Sequence, residues 1–228
     1  MHSEGVRREA AGGRASLPRG FYNRPTLDVA RDLLGKVLVH RTREGTTSGA
    51  IVEVEAYIGE DDPACHAAPG PTRRNEPLYG EPGHAYVYLN YGVHFLFNVV
   101  TERRGSPAAV LVRALEPLDG MALMRRRRGA APFDLAQGAP SQVEGPDRLP
   151  ETALCRGPGN VSKAMGITLE DNRTDLCGET LYVEDRGIVP AHIAWSPRIG
   201  IRVGTEHLWR AHVAGSRAVS GMRAARQG

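Results

Sequence analysis

Apolar and polar residues alternate along several stretches of the chain, and this period of two places successive side chains on opposite faces of a β-strand. In AYVYLNYGVHFLFNV, residues 85–99, the alternation occurs twice, before and after Asn90-Tyr91-Gly92. The pattern therefore predicts a β-hairpin with Tyr91 at its tip. Core packing does not explain a large aromatic ring at such an exposed position, so Tyr91 is a candidate for a function.

Alternation predicts five further strands, and helical periodicity predicts three short helices. The strands are 36–42 (KVLVHRT), 47–59 (TSGAIVEVEAYIG), 108–118 (AAVLVRALEPL), 180–186 (TLYVEDR) and 198–204 (RIGIRVG). The helices are one that Thr26 would cap and Gly35 would end, one in 119–129, and one that follows Gly157. Runs of strands with helices at the edges indicate an α+β fold.

The length of 228 residues and the 41% of hydrophobic residues suit a single core. We expect a disordered tail over 1–19, one domain over 20–220 and a frayed tail over 221–228. Residues 59–83 and 130–150 are rich in Gly, Pro and polar residues and are predicted to form loops. A loop as long as 59–83 in a compact domain is often functional.

The charge is mild, at +3, but only Lys36 and Lys163 among the 29 basic residues are lysines. The guanidinium group of arginine binds phosphate in a bidentate way, although a coding bias would also explain the count. The three cysteines are far apart, which argues against a disulfide framework and fits a cytoplasmic location. The histidine spacing predicts no metal site, and no apolar run is long enough to cross a membrane.

Charged residues occur in two of the predicted strands. Glu53, Glu55 and Tyr57 share one face of the first, and Arg113 lies within an apolar run of the second. A buried arginine needs a carboxylate partner, and either glutamate could supply it. The alternative is a half-buried strand with a solvated charged face. His66, in the adjoining loop, is either a site residue or an ordinary structural histidine.

The segment GPGNVSKAMGI could hold a phosphate, because glycines allow close approach and the N–H groups at a helix start attract anions. Lys163 is predicted to lie in the first turn of that helix, where a nearby anion would offset its unfavourable interaction with the helix dipole. An ordinary capped helix is the alternative.

Together these segments resemble the alkyladenine (3-methyladenine) DNA glycosylase family and its bacterial members. The segments GAIVEVEAYIGEDDPACHA, TRRN, YVYLNYGVHFLFNV, AVLVRALEPLDG and GPGNVSKAMGI follow in the family's order. The resemblance extends from about Phe21 to Ser220. It implies a single α+β domain around a curved antiparallel sheet, with a protruding β-hairpin and peripheral helices.

The resemblance also implies roles for single residues. Glu55 corresponds to the general base, and Arg113 to a residue that helps hold the attacking water. The residues that would enclose the flipped base are Tyr57, His66 and Tyr88, with Asn98 crowding the amino group of normal guanine. Tyr91 would enter the minor groove of the DNA. Contacts to the DNA backbone are expected from Arg73, Arg74, Gly159, Asn160 and Lys163.

The implied protein is a cytoplasmic, nucleoid-associated repair enzyme that acts as a monomer without a cofactor or metal. Its partner is double-stranded DNA containing damaged purines, and its product is an abasic site without strand cleavage. Two other classes stay open: a minor-groove DNA-binding protein without catalysis, and a formyltransferase-like RNA-binding domain. Release of free base from alkylated DNA would distinguish the enzyme from both.

Overall fold

The computed structural model describes residues 16–129 and 149–221. Its helices are α1 (Arg19–Tyr22), α2 (Thr26–Leu33), α3 (Met121–Gly129), α4 (Glu151–Leu154) and α5 (Pro158–Met165). Its strands are β1 (Val37–Thr42), β2 (Gly45–Ile58), β3 (Ala85–Asn90), β4 (His94–Val100), β5 (Ala108–Asp119), β6 (Leu181–Glu184), β7 (Ile193–Ser196) and β8 (Arg210–Val213). This is the predicted α+β arrangement in one domain.

All strand pairs are antiparallel, in the order β3-β4-β5-β2-β1-β6. The long strand β2 pairs with β5 along one edge. Its other edge pairs first with β1 and then, over Glu53–Glu55, with β8, which in turn pairs with β7. Because β2 exchanges one neighbour for another along its length, the sheet curves, as predicted. Strands β3 and β4 form the hairpin at one end.

The two faces of the curved sheet have different surroundings. On one face α2 packs against β2 and β5, and α5 packs against β4 and β5. Alternating apolar residues such as Val54 and Val112 form the core there with Leu33 and Val161, all fully buried. Each such side chain contributes about 1.5–3 kcal/mol through burial. The opposite face is left for the polar residues of β2 and β5.

Two details of the predicted elements are wrong. Thr26 does not cap α2: Pro25 precedes the helix, and the Thr26 hydroxyl instead donates to Glu102 over 2.6 Å. Residues 198–204 form an irregular, bent segment rather than a strand. Gly200 and Gly204 there have positive φ values of 80° and 63°, and the Ile199 N–H bonds to a side chain instead of a neighbouring strand.

The chain ends differ in part from the predicted tails. Ser16 forms a bridge with Glu184, and the Leu17 N–H donates to the Val183 carbonyl over 2.7 Å, so residues 16–19 belong to the fold. Residues 1–15 and 222–228, and the predicted loop over 130–148, lie outside the described residues. Within 16–129 and 149–221, no helix is both long and apolar enough to cross a membrane.

Candidate active site

A cavity of about 290 Å³ opens on the polar face of the sheet, beside the hairpin. This volume is at the lower end of the range for small-molecule sites, about 300–1,000 Å³. Strand alternation supplies much of the wall, because residues two apart face the same side. These residues are Tyr57 of β2, Tyr86 and Tyr88 of β3, Leu96 and Asn98 of β4, and Ala109, Leu111 and Arg113 of β5.

Aromatic side chains form one side of the cavity. The His66 and Tyr88 rings meet edge to face, with centroids 4.5 Å apart. The His66 Nδ1 lies 2.9 Å from the hydroxyl of Tyr86, a neighbour in the same wall, and this contact fixes the orientation of the imidazole. Burial, and to a smaller extent the charge of Arg74, lowers the pKa of His66. At neutral pH the cavity therefore presents a neutral imidazole between aromatic rings.

Glu55 is fully buried and lies one layer behind this wall. Its Oε1 accepts the Ile199 N–H over 2.7 Å, and its Oε2 accepts the Tyr57 hydroxyl over 2.9 Å. The Arg113 Nη1 lies 3.1 Å from the same Oε2. All three partners line the cavity. The carboxylate is thus surrounded by donors directly behind the cavity wall.

A β-bulge directs Arg113 toward the glutamates. Ala114 pairs with Glu53 and Val112 pairs with Val54, so Arg113 has no partner in β2. Bulges of this kind re-aim a side chain and are common next to active sites. Here the guanidinium reaches Glu53 and Glu55 together, at 3.1 Å from each.

Both glutamates, rather than one of the two, are partners of Arg113. Glu53 also accepts the Arg210 Nε over 2.7 Å and the Ser220 N–H over 2.7 Å. Burial opposes its ionisation, but the Ser220 N–H and the two arginines outweigh burial and lower the pKa of Glu53. The alternative of a solvated charged face is wrong, because Glu53 and Glu55 are both inaccessible to solvent.

Asn98 is buried, and its amide is oriented by the backbone. The Nδ2 donates to the Tyr86 carbonyl over 2.9 Å, across the β3–β4 pair. A second contact, to the Leu96 carbonyl, is 3.4 Å long. The amide therefore keeps one orientation in the cavity wall.

Tyr91 occupies the tip of the hairpin, as predicted, and the residue is 89% exposed. The Val93 N–H donates to the Asn90 carbonyl, and Tyr91 and Gly92 have φ values of +50° and +73°. Two successive positive φ values are typical of a type I′ hairpin turn. A tyrosine rarely adopts this conformation, which costs about 1–2 kcal/mol. Tyr91 also borders the cavity.

The sequence model for methylpurine-DNA glycosylase (MPG) matches residues 20–217. The chain belongs to the methylpurine-DNA glycosylase family. A protein of Chlorobium phaeobacteroides (strain BS1) is 44% identical over 91% of this chain and 96% of its own length. One of Methanocella arvoryzae (strain DSM 22066 / NBRC 105507 / MRE50) is 45% identical over 90% and 95%. Both carry the name "Putative 3-methyladenine DNA glycosylase".

Membership of the methylpurine-DNA glycosylase family confirms the resemblance inferred from the sequence segments. The chain is accordingly a DNA glycosylase, a hydrolase of base-excision repair. This assignment favours the enzyme over the DNA-binding and RNA-binding alternatives. The cavity, with a carboxylate behind aromatic walls, is the candidate active site of the glycosylase.

The residues predicted to contact the DNA backbone lie on two sides of the hairpin. Arg73 and Arg74 are exposed, and the Arg74 guanidinium lies 5.7 Å from the Tyr88 ring centroid. On the other side, Gly159 packs against His94, where a Cβ would lie 2.9 Å from the imidazole Cγ. The Asn160 Nδ2 donates to the Arg156 carbonyl.

The predicted place of Lys163 in the first turn of α5 is wrong. The helix begins at Pro158, so Lys163 lies in its last turn, where a cation interacts favourably with the helix dipole. Burial and the neighbouring Arg128 lower the pKa of Lys163. At this end of the helix the charge of Lys163 therefore needs no anion to offset the helix dipole.

Sequence reasoning missed two residues of the candidate site, Tyr86 and Ile199. Tyr86 shares a face with Tyr88 by alternation, so that pattern could have identified it. Ile199 acts through its backbone N–H, and no side-chain pattern indicates such a role. Among the residues that the structure describes, no three His, Cys, Asp or Glu side chains form a set of metal ligands.

Proposed function

We propose that this glycosylase flips a damaged purine out of duplex DNA into the cavity and hydrolyses its N-glycosidic bond with an activated water. One observation carries the proposal: a cavity of about 290 Å³ has aromatic walls and Tyr91 at its border, and three of its lining residues, Tyr57, Arg113 and Ile199, bind the Glu55 carboxylate directly behind them. An enzyme that acts on a base must take it out of the stack, and the cavity suits one base.

The base would bind between Tyr57 on one side and His66 and Tyr88 on the other. Aromatic faces attract cationic rings, so N-alkylated purines such as 3-methyladenine and 7-methylguanine are the preferred substrates. The lowered pKa of His66 supports this preference, since a neutral imidazole does not repel a cationic base. The fixed amide of Asn98 would crowd the exocyclic amino group of normal guanine.

In the chemical step, Glu55 accepts a proton from a water at the Arg113 corner of the cavity. The water oxygen bonds to C1′ of the flipped nucleotide, and the electron pair of the N-glycosidic bond moves to the base. A cationic base leaves neutral, whereas hypoxanthine or ethenoadenine would need a proton. The negative charge of Glu55 also stabilises the oxocarbenium-like transition state.

The same mechanism makes the enzyme monofunctional. With water as the nucleophile, no Schiff base forms and the DNA strand stays intact. The positions of the two lysines support this, because neither Lys36 nor Lys163 lines the cavity.

Tyr91 would enter the minor groove and fill the space that the flipped nucleotide leaves. Its exposure and strained backbone support this role, because an unfavourable conformation that persists at a hairpin tip points to function. The exposed Arg73 and Arg74 and the start of α5, at Gly159 and Asn160, would hold the DNA backbone on either side. Lys163, in the last turn of α5, would contact the backbone farther along that helix. We propose that the enzyme binds double-stranded DNA as a monomer.

The proposal is tested with Glu55→Gln, which keeps the shape of the side chain but removes its charge. Single-turnover release of 3-methyladenine should fall by about 10²–10⁴-fold, while the Kd for the same duplex changes little. Glu76→Gln, at an exposed position outside the cavity, is the matched control and should excise normally. Undiminished excision by a folded Glu55→Gln variant would refute the mechanism.

A further inference from the structure

Arg198 and Asp62 form a buried ion pair behind the cavity wall. The Arg198 Nη1 lies 2.6 Å from Asp62 Oδ2 and the Nη2 lies 2.8 Å from Oδ1, so the contact is bidentate. Neither side chain is exposed to solvent. Because both charges lose their hydration, such a pair contributes little to stability when compared with apolar side chains of similar size. The main effect of the pair is therefore the geometry that it imposes on the residues around it.

Asp62 organises the loop that carries His66. Its Oδ2 accepts the Ile58 N–H over 3.2 Å, and its Oδ1 accepts the Ala64 N–H over 3.1 Å. These bonds tie the end of β2 to the start of the cavity-lining segment 64–66. The carboxylate thus determines where the loop places the imidazole of His66.

Arg198 supports the ring of Tyr57. Its guanidinium carbon lies 4.7 Å from the Tyr57 centroid and 5.0 Å from that of Trp209, so it contacts both aromatic rings. Its Nη1 also donates to the Ala56 carbonyl over 3.1 Å. Tyr57 lines the cavity and Arg198 does not, so the guanidinium contacts the ring from behind.

The residue after Arg198 contacts Glu55 directly. The Ile199 N–H donates to Glu55 Oε1, and Ile199 itself lines the cavity. Fixing the Arg198 side chain therefore also fixes the position of the N–H that holds Glu55. A single buried guanidinium connects the two aromatic walls with the carboxylate.

We propose that Arg198, paired with Asp62, is a positioning residue that holds Tyr57, the His66 loop and Glu55 in their productive arrangement. This inference deepens the proposed function and rests on it. Lysine cannot replace the arginine, because an ammonium group offers neither a planar face for Tyr57 nor a rigid bidentate fork.

The test separates positioning from stability with the pair of variants Arg198→Met and Arg198→Met/Asp62→Leu. The single variant leaves Asp62 buried without its partner, so its thermal midpoint and its excision rate should both fall. The double variant removes both charges and should regain most of the thermal midpoint. Its single-turnover excision should stay about 10²-fold low, because apolar side chains do not restore the geometry. Its Kd for the lesion duplex should change little.

Two further variants keep the test decisive. Compared with Arg198→Met, Arg198→Lys should restore the thermal midpoint more fully than it restores the single-turnover excision rate. If the double variant does not fold, Asp62→Asn takes its place, since it retains the shape and one acceptor and should excise slowly while folded. A folded double variant, or a folded Asp62→Asn protein, with the wild-type single-turnover rate would overturn the proposal.

Matched controls distinguish this inference from the proposed function. Arg186 pairs with Asp119 and Glu184, at the other end of β5. Arg186→Met should therefore lower the thermal midpoint without slowing excision by the folded enzyme. Glu55→Gln is measured in parallel. Normal excision by Glu55→Gln refutes the mechanism, whereas an inactive Glu55→Gln beside a fully active Arg198→Met/Asp62→Leu refutes the positioning role alone.

Discussion

Arg113 and Glu53 form an ion pair within the protein, with 3.1 Å between the Nε and Oε1 atoms. The same Oε1 accepts the Arg210 Nε, and the other oxygen of Glu53 accepts the Ser220 N–H. One carboxylate therefore joins β5, β8 and the end of the described chain. Glu53 also fixes the guanidinium that contacts Glu55, so it supports the site without reaching the cavity.

We expect Glu53→Gln to lower the free energy of unfolding by about 3–5 kcal/mol, because it leaves two buried arginines short of a counter-charge. Urea unfolding at neutral pH measures this loss, with the exposed Glu170→Gln as the control.

The pKa of Glu53 is lowered in the folded state. Its contribution is therefore present above the ordinary pKa of about 4.3 and is lost as the pH falls through the folded value. If Glu53→Gln leaves the free energy of unfolding at neutral pH unchanged, both expectations for Glu53 are contradicted.

Replacement of Tyr91 should affect excision much more than stability. Tyr91→Gly relieves the positive φ but adds flexibility to the unfolded chain, so the two effects, each about 1 kcal/mol, nearly cancel. Without a ring to occupy the gap, the flipped state is less populated and single-turnover excision slows. Tyr91→Phe keeps the ring and serves as the control. Wild-type excision by Tyr91→Gly would count against the minor-groove role.

Gly159→Ala should disturb the hairpin through His94. The added Cβ would lie 2.9 Å from the His94 Cγ and 3.1 Å from its Cβ, so the imidazole and β4 must move. We expect slower excision even though alanine favours a helix by about 1 kcal/mol. The double variant Gly159→Ala/His94→Ala removes the imidazole and leaves only the 3.1 Å contact with the Cβ of residue 94, so it should recover most of the rate. If Gly159→Ala alone excises at the wild-type rate, the contact does not position the hairpin.

The lowered pKa of His66 predicts a loss of stability in mild acid. Burial, followed by Arg74, disfavours the protonated form in the folded state, whereas the unfolded chain takes up a proton near pH 6.5. Stability is therefore highest above about pH 6.5 and falls as the pH drops from there toward the folded pKa. His66→Gln should reduce the difference between urea midpoints at pH 7.5 and 5.5. A pH dependence that the folded His66→Gln variant leaves unchanged would contradict the assignment.

The hairpin was predictable because its pattern is local. Alternation on both sides of Asn90-Tyr91-Gly92 specifies two strands and a turn, and the structure has both. The predicted strand over 198–204 was wrong because its alternation competes with tertiary contacts. There Arg198 is drawn into the fold by Asp62, and the two glycines turn the chain away from a neighbouring strand.

The sequence by itself determined the order of the main elements, the exposed tyrosine and the face shared by Glu53, Glu55 and Tyr57, because period-two alternation depends only on neighbours along the chain. Only the tertiary structure decided which groups meet. The Arg113 bulge depends on how β2 and β5 pair, and the bond from Ile199 to Glu55 joins residues 144 positions apart. Such contacts arise from packing of the whole domain, and no local pattern encodes their distances.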